Sequence, residues 1–254
     1  RLGAPKPLGY ACAGVVEADG RDVAGFAPGD RVACAGAGYA NHAEWVAVPE
    51  NLVVRVPDEV PLAKAAFATL GAIALQGVRL ARPALGETVY VIGLGLLGQI
   101  VVSLLRAAGC RVLGVDPDGA KCALAKSRGA DEARESLGPR EVLEATGGLG
   151  ADAVLIAAST PSNQPIESAA EAVRQKGRVV ALGLVGLDLP RRPFYFKEAE
   201  FVVSCSYGPG RYDTSYEERG QDYPAAHVRW TEQRNMQAFL DLVGQGRLDL
   251  APLV

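Results

Sequence analysis

The segment V-Y-V-I-G-L-G-L-L-G-Q-I, residues 89–100, constrains the fold of this chain more than any other. A short run of branched and aromatic residues reads as a buried strand. G-x-G-x-x-G follows it at once and opens an apolar helix, L-L-G-Q-I-V-V-S-L-L-R-A-A-G. The next strand, C-R-V-L-G-V-D, ends on Asp116. Each part of this unit has a physical task. Gly93 permits the tight turn, Gly95 lets the backbone approach a pyrophosphate, and Gly98 lets the helix press on the strand. The helix N-terminus offers unpaired N–H groups and the positive end of its dipole to phosphate. Asp116 can accept hydrogen bonds from the adenosine ribose and would repel a 2′-phosphate. NAD is therefore expected rather than NADP. FAD uses a similar fingerprint but usually near the start of a large domain, whereas here β-rich chain precedes it.

The flanking sequence fits one architecture. Beyond Asp116 come a helix, D-G-A-K-C-A-L-A-K-S-R-G-A, then the strand A-D-A-V-L-I-A-A, the helix E-S-A-A-E-A-V-R-Q and the strand G-R-V-V-A-L-G-L. Strands alternating with helices of this length predict a doubly wound parallel sheet of α/β class with right-handed crossovers. Residues 14–56 instead alternate branched residues with Gly, Pro and Asp, as in a small β domain. A helix is predicted over residues 62–79, and another over T-E-Q-R-N-M-Q-A-F-L-D-L-V-G. The divisions expected are a β domain over 1–73, a dinucleotide-binding domain over 74–210 and a C-terminal segment over 211–254.

Composition excludes several functional classes. The 254 residues are 49% apolar and 22% charged with a net charge of −3, which suits a globular chain with a real core. No basic tract points to nucleic acid, and no apolar run is long enough to span a membrane. The five cysteines are odd in number and lack C-x-x-C spacing, so free thiols in a reducing cytoplasm are expected. The expected partner is a small-molecule substrate.

At this point the chain resembles the medium-chain dehydrogenase/reductase superfamily, the zinc alcohol dehydrogenase-like proteins. G-F-A-P-G-D-R-V and H-A-E-W-V-A-V-P-E are similar to segments of its GroES-like domain, and the fingerprint, the Asp116 strand and A-D-A-V-L-I follow in the family's order. The resemblance implies a partial GroES-like catalytic domain joined to a Rossmann domain, with substrate in the cleft between them, and homodimers or homotetramers. The family pattern extends before Gly9 and beyond Val254, so a fragment, a short form or the ordered part of a longer chain is expected. Further segments, including A-G-A-G-Y-A-N-H-A-E and S-Y-G-P-G-R-Y-D, resemble a bacterial subgroup linked to sugar metabolism and often fused to a second oxidoreductase domain.

Departures from the family pattern shape the expected chemistry. Zinc-dependent members carry G-H-E-x-x-G, whose His binds catalytic zinc. Here the frame reads Gly9-Tyr10-Ala11-Cys12-Ala13-Gly14, a later Cys ligand falls near Leu70, and the four-cysteine structural lobe is missing. No zinc is expected. Tyr10 and His42 are the candidate proton-exchanging groups, each with packing as the alternative. Cys12 and Cys34 have no neighbouring His or basic pattern and are not expected to be nucleophiles. Tyr39, Asn41, Tyr207 and Arg211 are candidate substrate contacts. The resemblance places the cofactor against Gly93, Leu94, Gly95, Leu96, Leu97 and Gly98, with Asp116 and Lys121 at the ribose and Ala157, Gly183 and Leu184 at the nicotinamide. The leading expectation is an NAD-linked dehydrogenase of a hydroxyl/carbonyl pair, with a sugar or glycoside as the substrate class. An NADPH quinone or enoyl reductase and a non-catalytic NAD-binding module are the alternatives.

Overall fold

A computed structural model describes residues 7–253, and the chain divides into two compact units. The first unit holds residues 1–72 and 207–254, and the second holds 73–206.

The first unit begins with β1 (Ala11–Val15), β2 (Arg31–Ala35) and β3 (Val53–Arg55), an antiparallel sheet in the order β1-β2-β3. Ala11 lies opposite Ala35 and Cys12 opposite Cys34. Val32, Cys34, Ala40 and Val53 form its small core, with Cys12, Val16, Phe26 and Val48 packed against it. The predicted 62–79 helix is broken into α1 (Leu62–Ala65) and α2 (Ala68–Ala81). The Phe67 N–H bonds to the Lys64 carbonyl, three residues back, and this tighter turn interrupts the four-residue ladder. The chain enters the second unit within α2.

The second unit is a six-stranded parallel sheet with alternating helices. In chain order it runs β4 (Thr88–Ile92), α3 (Leu96–Ala107), β5 (Arg111–Val115), α4 (Gly119–Ser127), β6 (Glu132–Arg134) and α5 (Pro139–Ala145). It continues with β7 (Ala151–Ile156), α6 (Gln164–Ala172), β8 (Val173–Ala181), α7 (Arg191–Lys197) and β9 (Glu200–Val203). The strand order β6-β5-β4-β7-β8-β9 is that of a doubly wound dinucleotide-binding sheet. Tyr90, Ile92, Leu113, Val154, Ile156 and Val179 are among the buried residues of its core.

Further elements of the second unit differ from expectation. The strand β6 and the helix α5 are additional. The helix expected over E-S-A-A-E-A-V-R-Q ends at Ala172, and Val173–Gln175 begin β8. Gly150 explains this switch: a Cβ there would stand 2.8 Å from the Ala172 carbonyl and 2.9 Å from the Arg174 nitrogen. Only a bare backbone lets the chain turn so close to the start of β7.

The first unit is completed by α8 (Thr214–Glu217) and α9 (Glu232–Gly244). Thr231 caps α9, its hydroxyl accepting from the Arg234 N–H. Gln233 on α9 donates to the Glu50 and Val53 carbonyls, and the Phe239 ring lies where a side chain on Gly71 would stand. Among the described residues, no helix is long and apolar enough to cross a membrane.

Candidate functional site

In the second unit, the order in which strands are added reverses between β4 and β7: crossovers from β4 lead to β5 and β6 on one side, and β7 is followed by β8 and β9 on the other. The carboxyl ends of the two strands open a crevice where doubly wound sheets hold ligands. Gly93 leaves β4 with φ +93°, and a Cβ on it would stand 2.6 Å from the Ala158 nitrogen. A Cβ on Gly98 would stand 2.1 Å from the Gly93 carbonyl oxygen, so α3 can sit this close only without one. Gly95 is different. It is the N-cap residue of α3 in an extended conformation, and no heavy atom lies within 4 Å of where its Cβ would be. No side chain caps the helix there. The first-turn N–H groups have no partner within the helix, and the space beside Gly95 is open.

Leu94 is buried and packs against Gly114, while Leu96 is exposed and Leu97 half-buried. Asp116, only 7% exposed, holds the loop together. One of its carboxylate oxygens accepts from the Leu94 N–H at 2.9 Å and the other from the Asp118 N–H at 3.0 Å. Lys121 Nζ lies 3.6 Å from Asp116 and 3.5 Å from Asp118. This inward anchoring was not expected from sequence. A carboxylate offers about four lone-pair sites, so each oxygen keeps an acceptor position.

Ala157 follows β7, its N–H donating to the Ile92 carbonyl at 2.8 Å. The Leu182 and Gly183 N–H groups both donate to the Ile156 carbonyl, and a Cβ on Gly183 would stand 1.9 Å from the Ala158 oxygen. Leu184 is 81% exposed, and its carbonyl accepts from the Thr160 N–H. Ser159–Pro161 and Leu184–Gly186 wall a shallow concavity. The residues expected to contact a dinucleotide thus gather at one end of one sheet.

The residues expected to act on substrate lie in the first unit. Tyr10 occupies the bend before β1 and is 44% exposed, its carbonyl accepting from the Gly36 N–H. His42 is also exposed. Its N–H donates to the Leu8 carbonyl at 2.8 Å, and its ring lies against Gly9, 2.3 Å from where a Cβ would be. Tyr10 therefore follows directly on the peptide that His42 packs against. Asn41 has a buried side-chain oxygen with no hydrogen-bond partner. Burial raises the pKa of Tyr39, and its hydrogen bond with Glu218 adds to the rise.

Tyr207 and Arg211 belong to one cluster of aromatic and charged side chains. The Arg211 guanidinium pairs with Glu217 at 2.6 Å and lies 3.9 Å above the Tyr212 ring and 5.3 Å from that of Tyr207. Tyr207 is 3% exposed, and its hydroxyl has no partner. Glu232, fully buried in the first turn of α9, has no partner for either carboxyl oxygen. Burial pushes its pKa up to about 8; Glu217 pushes the same way and Arg211 opposes. Sequence reasoning missed Glu232, since a glutamate opening a helix ordinarily faces water. Among the described residues, no group of three or more His, Cys, Asp or Glu comes together to hold a metal ion.

Residues 97–221 match the family described as zinc-binding dehydrogenase, and residues 1–58 match the alcohol dehydrogenase GroES-like domain. The chain is similar to D-guloside 3-dehydrogenase of Escherichia coli (strain K12), 29% identical over 261 aligned positions that cover 97% of this chain and 68% of that protein. It is 32% identical to an alcohol dehydrogenase of Geobacillus stearothermophilus over 158 positions, 59% of this chain and 44% of that one. Its fold is similar to that of galactitol-1-phosphate dehydrogenase from Escherichia coli, with a TM-score of 0.79 at 20% identity over 99% of this chain and 77% of that one. With the strand order, the glycine loop and both domain matches in agreement, the chain belongs to the medium-chain dehydrogenase/reductase superfamily of oxidoreductases.

Proposed function

We propose that this chain is an NAD(H)-dependent, zinc-independent oxidoreductase acting on a hydroxyl/carbonyl pair, with a sugar or glycoside as its substrate class. The observation that carries this reading is the open space at Gly95, before the uncapped start of α3, with Asp116 closing β5 beside it. The dinucleotide, when bound, supplies the hydride acceptor or donor. The chain's own groups do the rest. The Leu96 and Leu97 N–H groups meet the pyrophosphate. Asp116 takes the ribose hydroxyls on its remaining lone pairs, and Lys121 steadies its charge. Backbone at Ala157, Gly183 and Leu184 borders the nicotinamide.

Tyr10 and His42 are the proposed proton-exchanging groups, since substrate oxygen must lose or gain a proton as its carbon loses or gains hydride. Tyr39, Asn41, Tyr207 and Arg211 are the proposed substrate contacts. The donor set does not fit zinc: a half-exposed Tyr10 and an aliphatic Leu70 stand at the two family ligand positions within this sequence. The similarity to D-guloside 3-dehydrogenase supports the sugar class. A second copy of the chain is the proposed partner, with the β9 edge of the sheet as its contact.

A coupled absorbance screen over glycosides, sugars and polyols with NAD and NADP tests the reading. NAD-linked turnover of a sugar or glycoside is expected, reduced at least tenfold in Tyr10→Phe or His42→Ala. Full activity in both variants would remove these residues from the chemistry. Equal use of NADP would overturn the role of Asp116, and stoichiometric zinc by elemental analysis would overturn zinc independence.

A further inference from the structure

Cys12 and Cys34 are 22 positions apart in sequence, and the sheet places them directly opposite each other on β1 and β2. The ladder fixes the kind of pair they make. The Gly36 N–H donates to the Tyr10 carbonyl, and the Val16 N–H donates to the Asp30 carbonyl. Hydrogen-bonded pairs alternate along an antiparallel ladder, so Cys12 and Cys34 form one, with Cα atoms about 5.5 Å apart. That lies inside the range of about 4.4–6.8 Å found in disulfides, and the two thiols already share a hydrogen bond. Directly opposed residues also share a face, and both sulfurs belong to the apolar cluster of Val32, Ala40 and Val53.

We propose that Cys12 and Cys34 are a reactive thiol pair, a site of reversible disulfide formation with low-molecular-weight disulfides. The two sulfurs have different roles. Cys12 is partly exposed, whereas Cys34 is buried. The Cys34 S–H donates to the Cys12 sulfur and holds the Cys12 thiol down at about 7, against burial, which pushes the other way; the same bond and burial push Cys34 up. Cys12 is thus the attacking thiolate and Cys34 the resolving thiol. The Cys12 thiolate attacks one sulfur of the external disulfide and expels a small thiolate, leaving a mixed disulfide on Cys12. Cys34 then gives up its proton and attacks the Cys12 sulfur, expelling the second small thiolate. The external disulfide is reduced to two thiols, and the protein pair is oxidised to one disulfide. The product pins β1 to β2 two residues along the chain from Tyr10.

The test uses the full chain with its exposed Cys205 changed to Ser, which leaves four thiols and touches neither member of the pair. The protein is incubated with oxidised glutathione, alkylated and mapped by peptide mass spectrometry. The expected result is loss of two alkylatable thiols and a cross-linked peptide joining Cys12 to Cys34, reversed by dithiothreitol. In a further Cys34→Ser variant the reaction should stop at a glutathione adduct on Cys12, with circular dichroism verifying the fold. Retention of both thiols in the Cys205→Ser protein would overturn the proposal. So would a stable adduct on Cys12 with Cys34 still free beside it.

Discussion

Gly95→Ser separates a ligand-binding role for the glycine loop from a packing role. A serine Cβ at this position enters space with no heavy atom within 4 Å. It also places a hydroxyl at the uncapped N-terminus of α3, where serine is among the best capping residues. Folding should therefore be untouched or improved. A phosphate held at this helix end would be pushed away. One charge-assisted hydrogen bond is worth about 1.5–3 kcal/mol, so losing one weakens dinucleotide binding roughly ten- to 150-fold. Gly98→Ala is the counterpart. Its Cβ would stand 2.1 Å from the Gly93 carbonyl oxygen, and α3 would have to back away from β4. Overpacking of this kind costs about 1–3 kcal/mol, which lowers Tm by roughly 2–4 °C for each kcal/mol in a chain of this size. NADH fluorescence titration and thermal scanning of both variants give the contrast directly. Wild-type NADH affinity in Gly95→Ser would refute the placement of the dinucleotide.

Other perturbations test neighbouring parts of the argument. Asp116→Asn removes the charge facing a 2′-phosphate but keeps one acceptor for the Leu94 and Asp118 N–H groups. The ratio of NADH to NADPH affinity should fall at least tenfold by titration, since one lost charge–charge repulsion of about 1.4 kcal/mol is a factor of ten. Glu232 should make stability fall with pH. Its folded pKa is raised to about 8 from an ordinary value of 4.5, so the folded state binds the extra proton between those values. The stabilisation is complete below about 4.5 and is lost as pH rises to about 8. Thermal scans from pH 5.5 to 9 should show Tm declining in the wild type and a flatter profile in Glu232→Gln. Phe239→Ala empties the space beside Gly71 on α2, and truncation of a buried phenylalanine costs about 3–5 kcal/mol, read by chemical denaturation.

The parallel sheet was legible because its central strands are apolar runs bounded by glycine, a pattern that strand burial alone produces. The strand β6 was not. Glu132-Ala133-Arg134 has no apolar alternation, and pairing with the edge of β5 is what makes it a strand. Val173–Gln175 continue a helical spacing in the sequence, but register against β7 outweighs local preference. At the site, Gly93 and Gly98 stand out in the spacing because each answers a local steric demand, whereas nothing within the chain crowds Gly95. The inward hold of Asp116 on Leu94 depends on where a loop folds back, and the Cys12–Cys34 encounter depends on sheet register. Neither is encoded in the residues adjacent to it. The Arg211–Glu217 pair depends on how the 207–217 segment turns, which residue spacing does not show. Glu232 shows the same gap: its burial comes from the 207–217 segment folding over the start of α9, and the Glu232 N–H reaches the Pro209 carbonyl.

The first unit is assembled from both ends of the sequence, and that has a consequence for the order of events during synthesis. Asn51 donates to the Tyr216 carbonyl across 165 positions, and Gln233 donates to Glu50 and Val53 across 183 and 180. None of these bonds can form until the C-terminal segment has left the ribosome. The second unit, contained wholly within residues 73–206, meets no such delay. A ribosome emits about 5–20 residues each second, so β1–β3 wait roughly 10–35 s for the partners that complete them. During that interval their apolar face is exposed to chaperones and to other nascent chains, and the speed of elongation bears directly on the yield of correctly folded protein.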